Sequence, residues 1–296
     1  MATPTASGAV VTSTVATAST SDFYNYNPTK TGASIVAILF VVVSLTHLIK
    51  VFRHRAWFFF PMIVGGVLEC IGYVARVKSA QETPDWTEGP YIVQALTILV
   101  APALVAATIY MILGRIILAT DGETFSLVRK KWLTKIFVCG DVLSFFVLAG
   151  GSALLASKKE SLLKLGQNLI LVGLFIQIVF FGLFIVVSYL FHTRIHRNPT
   201  PISLSPNLNW QQALYVLYAA SLLVMVRSVV RVIEYIQGTD GYILSHEVFL
   251  YVFDAALMFI AIAIFVLWHP SPMLGLDKRG KKGDSEWYPL GGTARP

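Results

Sequence analysis

"LLVMVRSVVRVIEYIQG", Leu222 to Gly238, reads as an apolar helix with Arg227, Arg231 and Glu234 set inside it. Positions i, i+4 and i+7 share one helix face, so the two guanidiniums and the carboxylate form a single stripe. In lipid, each charge at mid-helix costs about 2.5–3.5 kcal/mol, which turns such residues toward a bundle interior or a wet cavity. The stretch predicts a buried polar seam, provided that the rest of the chain lies in a membrane.

Composition supplies that condition. The 296 residues are 55% hydrophobic and 13% charged, with mean hydropathy +0.68, against about 25% charged residues in a soluble domain. Apolar runs of about 18 residues or more mark spanning helices. Seven occur, at 32–51, 56–78, 90–119, 132–156, 166–192, 211–237 and 245–268. The expectation is an all-α, polytopic membrane protein, a seven-transmembrane-helix bundle spanning 32–268. Residues 1–31 read as a disordered Ser/Thr-rich outer tail, and 269–296 as a disordered basic cytoplasmic tail. The first segment lacks a basic stretch leading into an apolar one, so the first span is expected to direct insertion itself.

Lys and Arg in the connections set the expected orientation. With the N-terminus outside and the C-terminus cytoplasmic, fourteen basic residues fall inside, among them Arg53, Arg129, Lys131, Arg194 and Lys282, against five outside. "ASKKESLLK" after the fourth span is a local exception. The net charge of +7 is thereby explained by cytoplasmic loops, and no nucleic-acid partner is needed. Cys70 and Cys139 both lie within spans, where they read as small buried hydrophobes. No Cys/His metal spacing surrounds them, and neither a metal nor another cofactor is expected.

The remaining candidates are the polar residues within the spans. Glu69 and Arg76 lie in the second, Gln94 and Pro102 in the third, Asp141 in the fourth and Gln177 in the fifth. The sixth carries Arg227, Arg231 and Glu234, and the seventh Glu247 and Asp254. Their depths overlap, and the short "GTDGY" turn makes the last two spans antiparallel neighbours, so Arg227 or Arg231 can meet Asp254. Two readings stay open: a sealed ion-pair cluster that locks the bundle, and a polar pathway. Pro102 removes a helical hydrogen bond, which predicts a kink and a freed carbonyl. The pairs at Gly65, Ala106 and Gly150 predict close helix contacts.

Together "ECIGYVAR" from Glu69, "Q…AP…AA..Y…GR" from Gln94 to Arg115, "GD..S" at Asp141, the Gln177 segment and "RSVVRVIEY…FDA…HP" from Arg227 to Pro270 carry a resemblance. In order and position they resemble the fungal lipid-translocating exporter family, the RTA-like proteins, across all seven spans. Leu148 stands where the resemblance leads one to expect Gln. The resemblance adds Tyr110 to the pathway candidates. It implies a protein of the plasma membrane, or alternatively the vacuolar membrane, whose partners are lipids or amphiphilic small molecules such as sphingoid long-chain bases and sterol-like amines. A cationic head would suit Glu69, Glu234 and Asp254. No phosphate-binding loop "GxxxxGK[ST]" occurs, so ATP hydrolysis by this chain is not expected.

Two other classes compete. A seven-span receptor or lipid-asymmetry sensor shares the topology, but the chain has "GRII" rather than a D-R-Y-like triplet after the third span and no N-P-x-x-Y in the seventh. An intramembrane metal-dependent hydrolase would use His192 and His196, at i and i+4, with His47, His54 or His269. The reading taken is a transporter and not an enzyme.

Overall fold

The computed structural model describes residues 26–83, 86–127, 130–155, 159–206, 208–237 and 241–274. Segments 1–25 and 275–296, which hold most of both tails, lie outside the described residues. Seven helices are long and apolar enough to cross a membrane, and the chain is an integral membrane protein. They are α1 (Lys30–His54), α2 (Phe60–Gln81), α3 (Glu88–Ala119), α4 (Lys130–Leu155), α5 (Glu160–Arg197), α6 (Trp210–Gln237) and a composite α7 (Glu247–Leu267). A short α8 (Pro270–Met273) follows. The end of the bundle where α1 begins is termed the leading end, and the opposite one the trailing end.

Lipid gives apolar helices little reason to associate, so close packing and polar contacts must hold the bundle together. Large apolar side chains such as Ile38, Val42, Phe146 and Leu183 point outward, while Phe40, Tyr73, Ile109 and Phe184 are fully buried. Helix α3 is the hub, touching α2, α4, α5 and α6. Its approach to α2 depends on two glycines one heptad apart. A Cβ at Gly65 would stand 3.0 Å from the Ala101 carbonyl oxygen, and one at Gly72 only 2.6 Å from Ile98 Cγ1. Glu69 lies between them on the same face. The pair at Gly150 makes its close contact through its second member: nothing lies within 4 Å of a Cβ at Gly150, while Gly151 packs against Gly166 and Ile170 of α5.

Helix α7 is tied to α1 through its carbonyls. His47 Nε2 meets the Ile262 oxygen at 3.0 Å, and Lys50 Nζ donates to that of Val266 in the last turn. Ordered packing continues past 268. The Asn209 amide donates to the Met273 oxygen at 3.0 Å, and His269 caps α8 through the Ser271 amide. Leu274 is buried in this packing. At the leading end Tyr26, ahead of α1, also packs on the bundle, its hydroxyl accepting from Arg76.

Candidate functional site

The stripe that opened the reading of the sequence faces the bundle interior, with Arg227 buried and Arg231 and Glu234 partly so, and its partners on other helices come from α3 and α7. Arg227 Nε lies 2.5 Å from Asp254 Oδ1, and Arg231 Nη2 lies 3.0 Å from Asp254 Oδ2. Arg231 also binds Glu234 through both carboxylate oxygens at 3.1 Å. Asp254 thus holds two guanidiniums where one had been expected. Asp254 lies in a π-helical turn, Tyr251–Ala256, within α7, a rare local widening that is frequent at functional positions.

Pro102 explains the other half of Arg227. A residue at 102 with an N–H would donate to the carbonyl of Ile98, four positions back, and proline cannot. Arg227 Nη2 donates to that oxygen at 3.0 Å. The freed carbonyl therefore does not open onto a cavity, and α3 continues as helix through Pro102. A proline on α3 frees the Ile98 carbonyl, and an arginine 129 residues beyond Ile98 satisfies it.

Nearer the leading end, Arg76 Nη2 donates to Glu247 Oε1 at 2.6 Å and to the Tyr26 hydroxyl at 2.9 Å. Its guanidinium lies over the rings of Tyr26 and Tyr251. Glu247 is saturated further by the Thr29 amide at 2.9 Å and the Tyr251 hydroxyl at 3.0 Å. The chain just before α1 is a strap across this end of the bundle. Burial there holds the Tyr26 phenol above its ordinary value, against the opposing pull of Arg76.

These contacts form a ladder along α2, α6 and α7 in which Arg76, Arg227 and Arg231 face Glu234, Glu247, Asp254 and Glu69. Glu69 is the surplus acid. It is fully buried, and neither carboxylate oxygen has a hydrogen-bond partner among the described residues. Asp254, Arg227 and Arg231 are the charges that act on it most. Tyr73, which the sequence did not single out, is equally buried beside the same group and stacks on Tyr251 at 6.3 Å. The sequence had assigned Glu69, Glu234 and Asp254 jointly to a cationic head. Glu234 and Asp254 are engaged by arginines, which leaves Glu69.

The other candidates lie elsewhere. Gln94 and Gln177 are buried. Asp141 faces α3, where the Tyr110 hydroxyl donates to its Oδ2 at 2.9 Å. Tyr110 packs on Phe184, Phe137 and Phe181, with ring centroids 4.6, 5.5 and 6.0 Å away. Asp141 Oδ1 is buried and has no partner among the described residues. Leu148 packs in a small apolar cluster with Ile170, Leu174 and Val232. His192 and His196 lie 6.4 Å apart, but His192 is packed among Trp210, Tyr215 and Tyr218. Among the described residues, no three His, Cys, Asp or Glu side chains are grouped to hold a metal ion.

The family model described as RTA1 like protein matches residues 62–276, which include the whole ladder from Glu69 to Asp254. The chain belongs to the RTA1-like family. Protein RTM1 of Saccharomyces cerevisiae is 34% identical over 285 residues, covering 83% of this chain and 91% of its own. Protoporphyrin uptake protein 1 of Saccharomyces cerevisiae (strain ATCC 204508 / S288c) is also 34% identical, covering 82% of this chain and 90% of its own. Sphingoid long-chain base transporter RSB1 of Saccharomyces cerevisiae (strain Lalvin EC1118 / Prise de mousse) is 26% identical, with coverages of 79% and 69%. No solved structure matches the chain. The ladder is thus a feature of an RTA1-like membrane domain that no solved relative illustrates.

Proposed function

We propose that this RTA1-like protein is a transporter, not an enzyme, that moves cationic amphiphiles of the sphingoid-base class across its membrane in exchange for protons. The observation that carries the reading is Glu69: a fully buried carboxyl with no hydrogen-bond partner among the described residues, beside arginines already matched by other acids. Such a group is costly as a lone charge in lipid. A proton and a primary ammonium neutralise it equally well, so they compete for it, and that competition couples their movements. The name of the relative RSB1 supports the choice of amphiphile.

The ladder is closed in this conformation, with Arg227, Asp254 and Glu69 all buried. Access to Glu69 therefore requires a helix to yield, and the π turn of α7 is the place for it, since its backbone bonding is already irregular. The excess of Lys and Arg in the connections supports a trailing end that faces the cytoplasm, and the plasma membrane is the proposed location. An epitope in the 1–25 segment is then labelled on intact cells, and one beyond Lys282 only after permeabilisation.

Reconstitution into liposomes tests the function. A labelled long-chain base is expected to cross faster when an opposing proton gradient is imposed, while labelled phospholipid does not cross. Movement of both regardless of the gradient would make the protein a scramblase. Movement of neither would leave the receptor reading.

A further inference from the structure

A groove of about 390 Å³ runs along the lipid-facing side of α4 and α5, at the edge of the buried Asp141–Tyr110 pair. Its walls include Trp132, Ile136, Leu143 and Phe180, and its volume falls within the range of about 300–1,000 Å³ common for ligand pockets. Cys139 is exposed on the same wall. At the trailing end, the Lys135 ammonium lies 5.9 Å over the Trp132 ring, the aromatic-plus-cation pair typical of a membrane interface.

Two consecutive residues on each helix connect this groove with the interior. Gly140 of α4 and Phe180 of α5 line the groove. Their neighbours Asp141 and Phe181 lie inside, against Tyr110. The Phe180 ring occupies the space that a Cβ at Gly140 would need. Phe180 thus packs on α4 at the residue next to Asp141, whose buried Oδ1 has no hydrogen-bond partner among the described residues. The Tyr110 ring, whose hydroxyl serves the other oxygen, packs with Phe137 and Phe184 into an aromatic box. A buried carboxylate beside aromatic rings is the chemistry that recognises an ammonium ion, by charge and by cation–π attraction. No ion pair to Asp141 is found among the described residues, in contrast with Asp254.

We propose that this groove and box form a second binding site, separate from the ladder, which takes a long-chain primary amine from the bilayer. The alkyl chain lies in the groove, and the ammonium reaches Asp141 Oδ1 when Phe180 swings aside. The site rests on the transport reading for its place in a cycle, as the point where the amphiphile is taken up before exchange at Glu69. Its existence as a binding site does not depend on transport.

Cys139 reports occupancy directly. The chain has two cysteines, so Cys70→Ser leaves Cys139 as the only thiol. In phosphatidylcholine nanodiscs, the rate of its alkylation by a membrane-permeant maleimide is measured against octadecylamine, and against octadecanol as the uncharged chain of equal length. The amine is expected to protect at a concentration roughly tenfold lower than the alcohol, the scale of one charge-assisted contact. Asp141→Asn is expected to abolish that preference while protection by the alcohol persists. Equal protection by amine and alcohol in the unsubstituted protein would overturn the proposal, and that comparison needs no Asp141 variant to fold. So would an unchanged preference in a folded Asp141→Asn protein. Loss of protection with transport intact sinks this site alone, whereas protection with no transport in liposomes sinks the transport reading alone.

Discussion

Two buried acidic regions flank α3, and they are built on opposite plans. On the side of α2, α6 and α7, three arginines and three of four carboxyls are paired with one another, and a proline-orphaned carbonyl accepts from Nη2 of Arg227. On the side of α4 and α5, one aspartate accepts from a tyrosine that packs among phenylalanines, and no ion pair to it is found among the described residues. The first arrangement uses nearly all its charge to hold helices together. The second holds back a carboxylate oxygen, and so does the first at one point, Glu69. The difference separates charge already spent between helices from charge left unmatched, and it is the unmatched acids that are proposed to bind.

The largest expected effect comes from breaking the double pairing of Asp254. Asp254→Asn leaves Arg227 with no carboxylate, while Arg231 keeps Glu234, and the loss expected is about 3–5 kcal/mol, as for other broken buried pairs. Thermal unfolding in detergent reads it. The compensating change distinguishes the two arginines: Arg227→Gln with Asp254→Asn should recover most of the loss, and Arg231→Gln with Asp254→Asn should recover little. Equal rescue would mean that the two guanidiniums share Asp254 interchangeably.

Next in size is the α2–α3 seam. Gly72→Ala forces a Cβ to 2.6 Å from Ile98 Cγ1 and 2.7 Å from Thr97 Oγ1, an overpacking expected to cost about 1–3 kcal/mol. Gly150→Ala, into open space, should leave the unfolding temperature unchanged. A smaller effect, of about 1 kcal/mol and of the opposite sign, is expected for Pro102→Ala, which restores an N–H to the Ile98 carbonyl. That variant should be more stable and slower in transport, because Arg227 loses sole claim to its acceptor.

How far this was legible in the sequence varies by residue. The seven spans follow from apolar run length alone, and six of them agree with the helices to within four residues at either end. Helix α5 exceeded its forecast of 166–192 at both ends, since "ESLLK" and "HTRIHR" favour helix without being apolar. Hydropathy registers the hydrocarbon and not the helix. Pro102 identified which carbonyl would be orphaned, but nothing local could point to Arg227 on another helix. The π turn around Asp254 has no sequence signature, and one guanidinium was assigned to that acid instead of two. The strap from Tyr26 to Thr29 was hidden in a Ser/Thr-rich segment whose composition suggested no structure.

The smallest effect lies outside the spans, at Glu82. The Thr87 hydroxyl and amide donate to its Oε2 at 2.6 and 3.2 Å, and the hydroxyl is the main reason its pKa is held below the ordinary carboxylate value. A lowered folded pKa favours the folded state above the unfolded value, and that contribution is lost as pH falls through the folded one. Because Glu82 is exposed to solvent, Thr87→Ala should raise its pKa in an NMR titration without a measurable change in unfolding temperature.

Glu69→Gln in proteoliposomes, followed by labelled long-chain base with and without an opposing proton gradient, tests the role of the surplus acid most directly. Glutamine preserves shape and hydrogen-bonding capacity and removes the site for which proton and ammonium compete. The unfolding temperature should be unchanged or higher, since no ion pair is broken, while the acceleration by the gradient should fall by roughly tenfold or more, the scale expected for a lost charge contact. A variant that folds and still responds fully to the gradient would show that Glu69 carries neither proton nor amine.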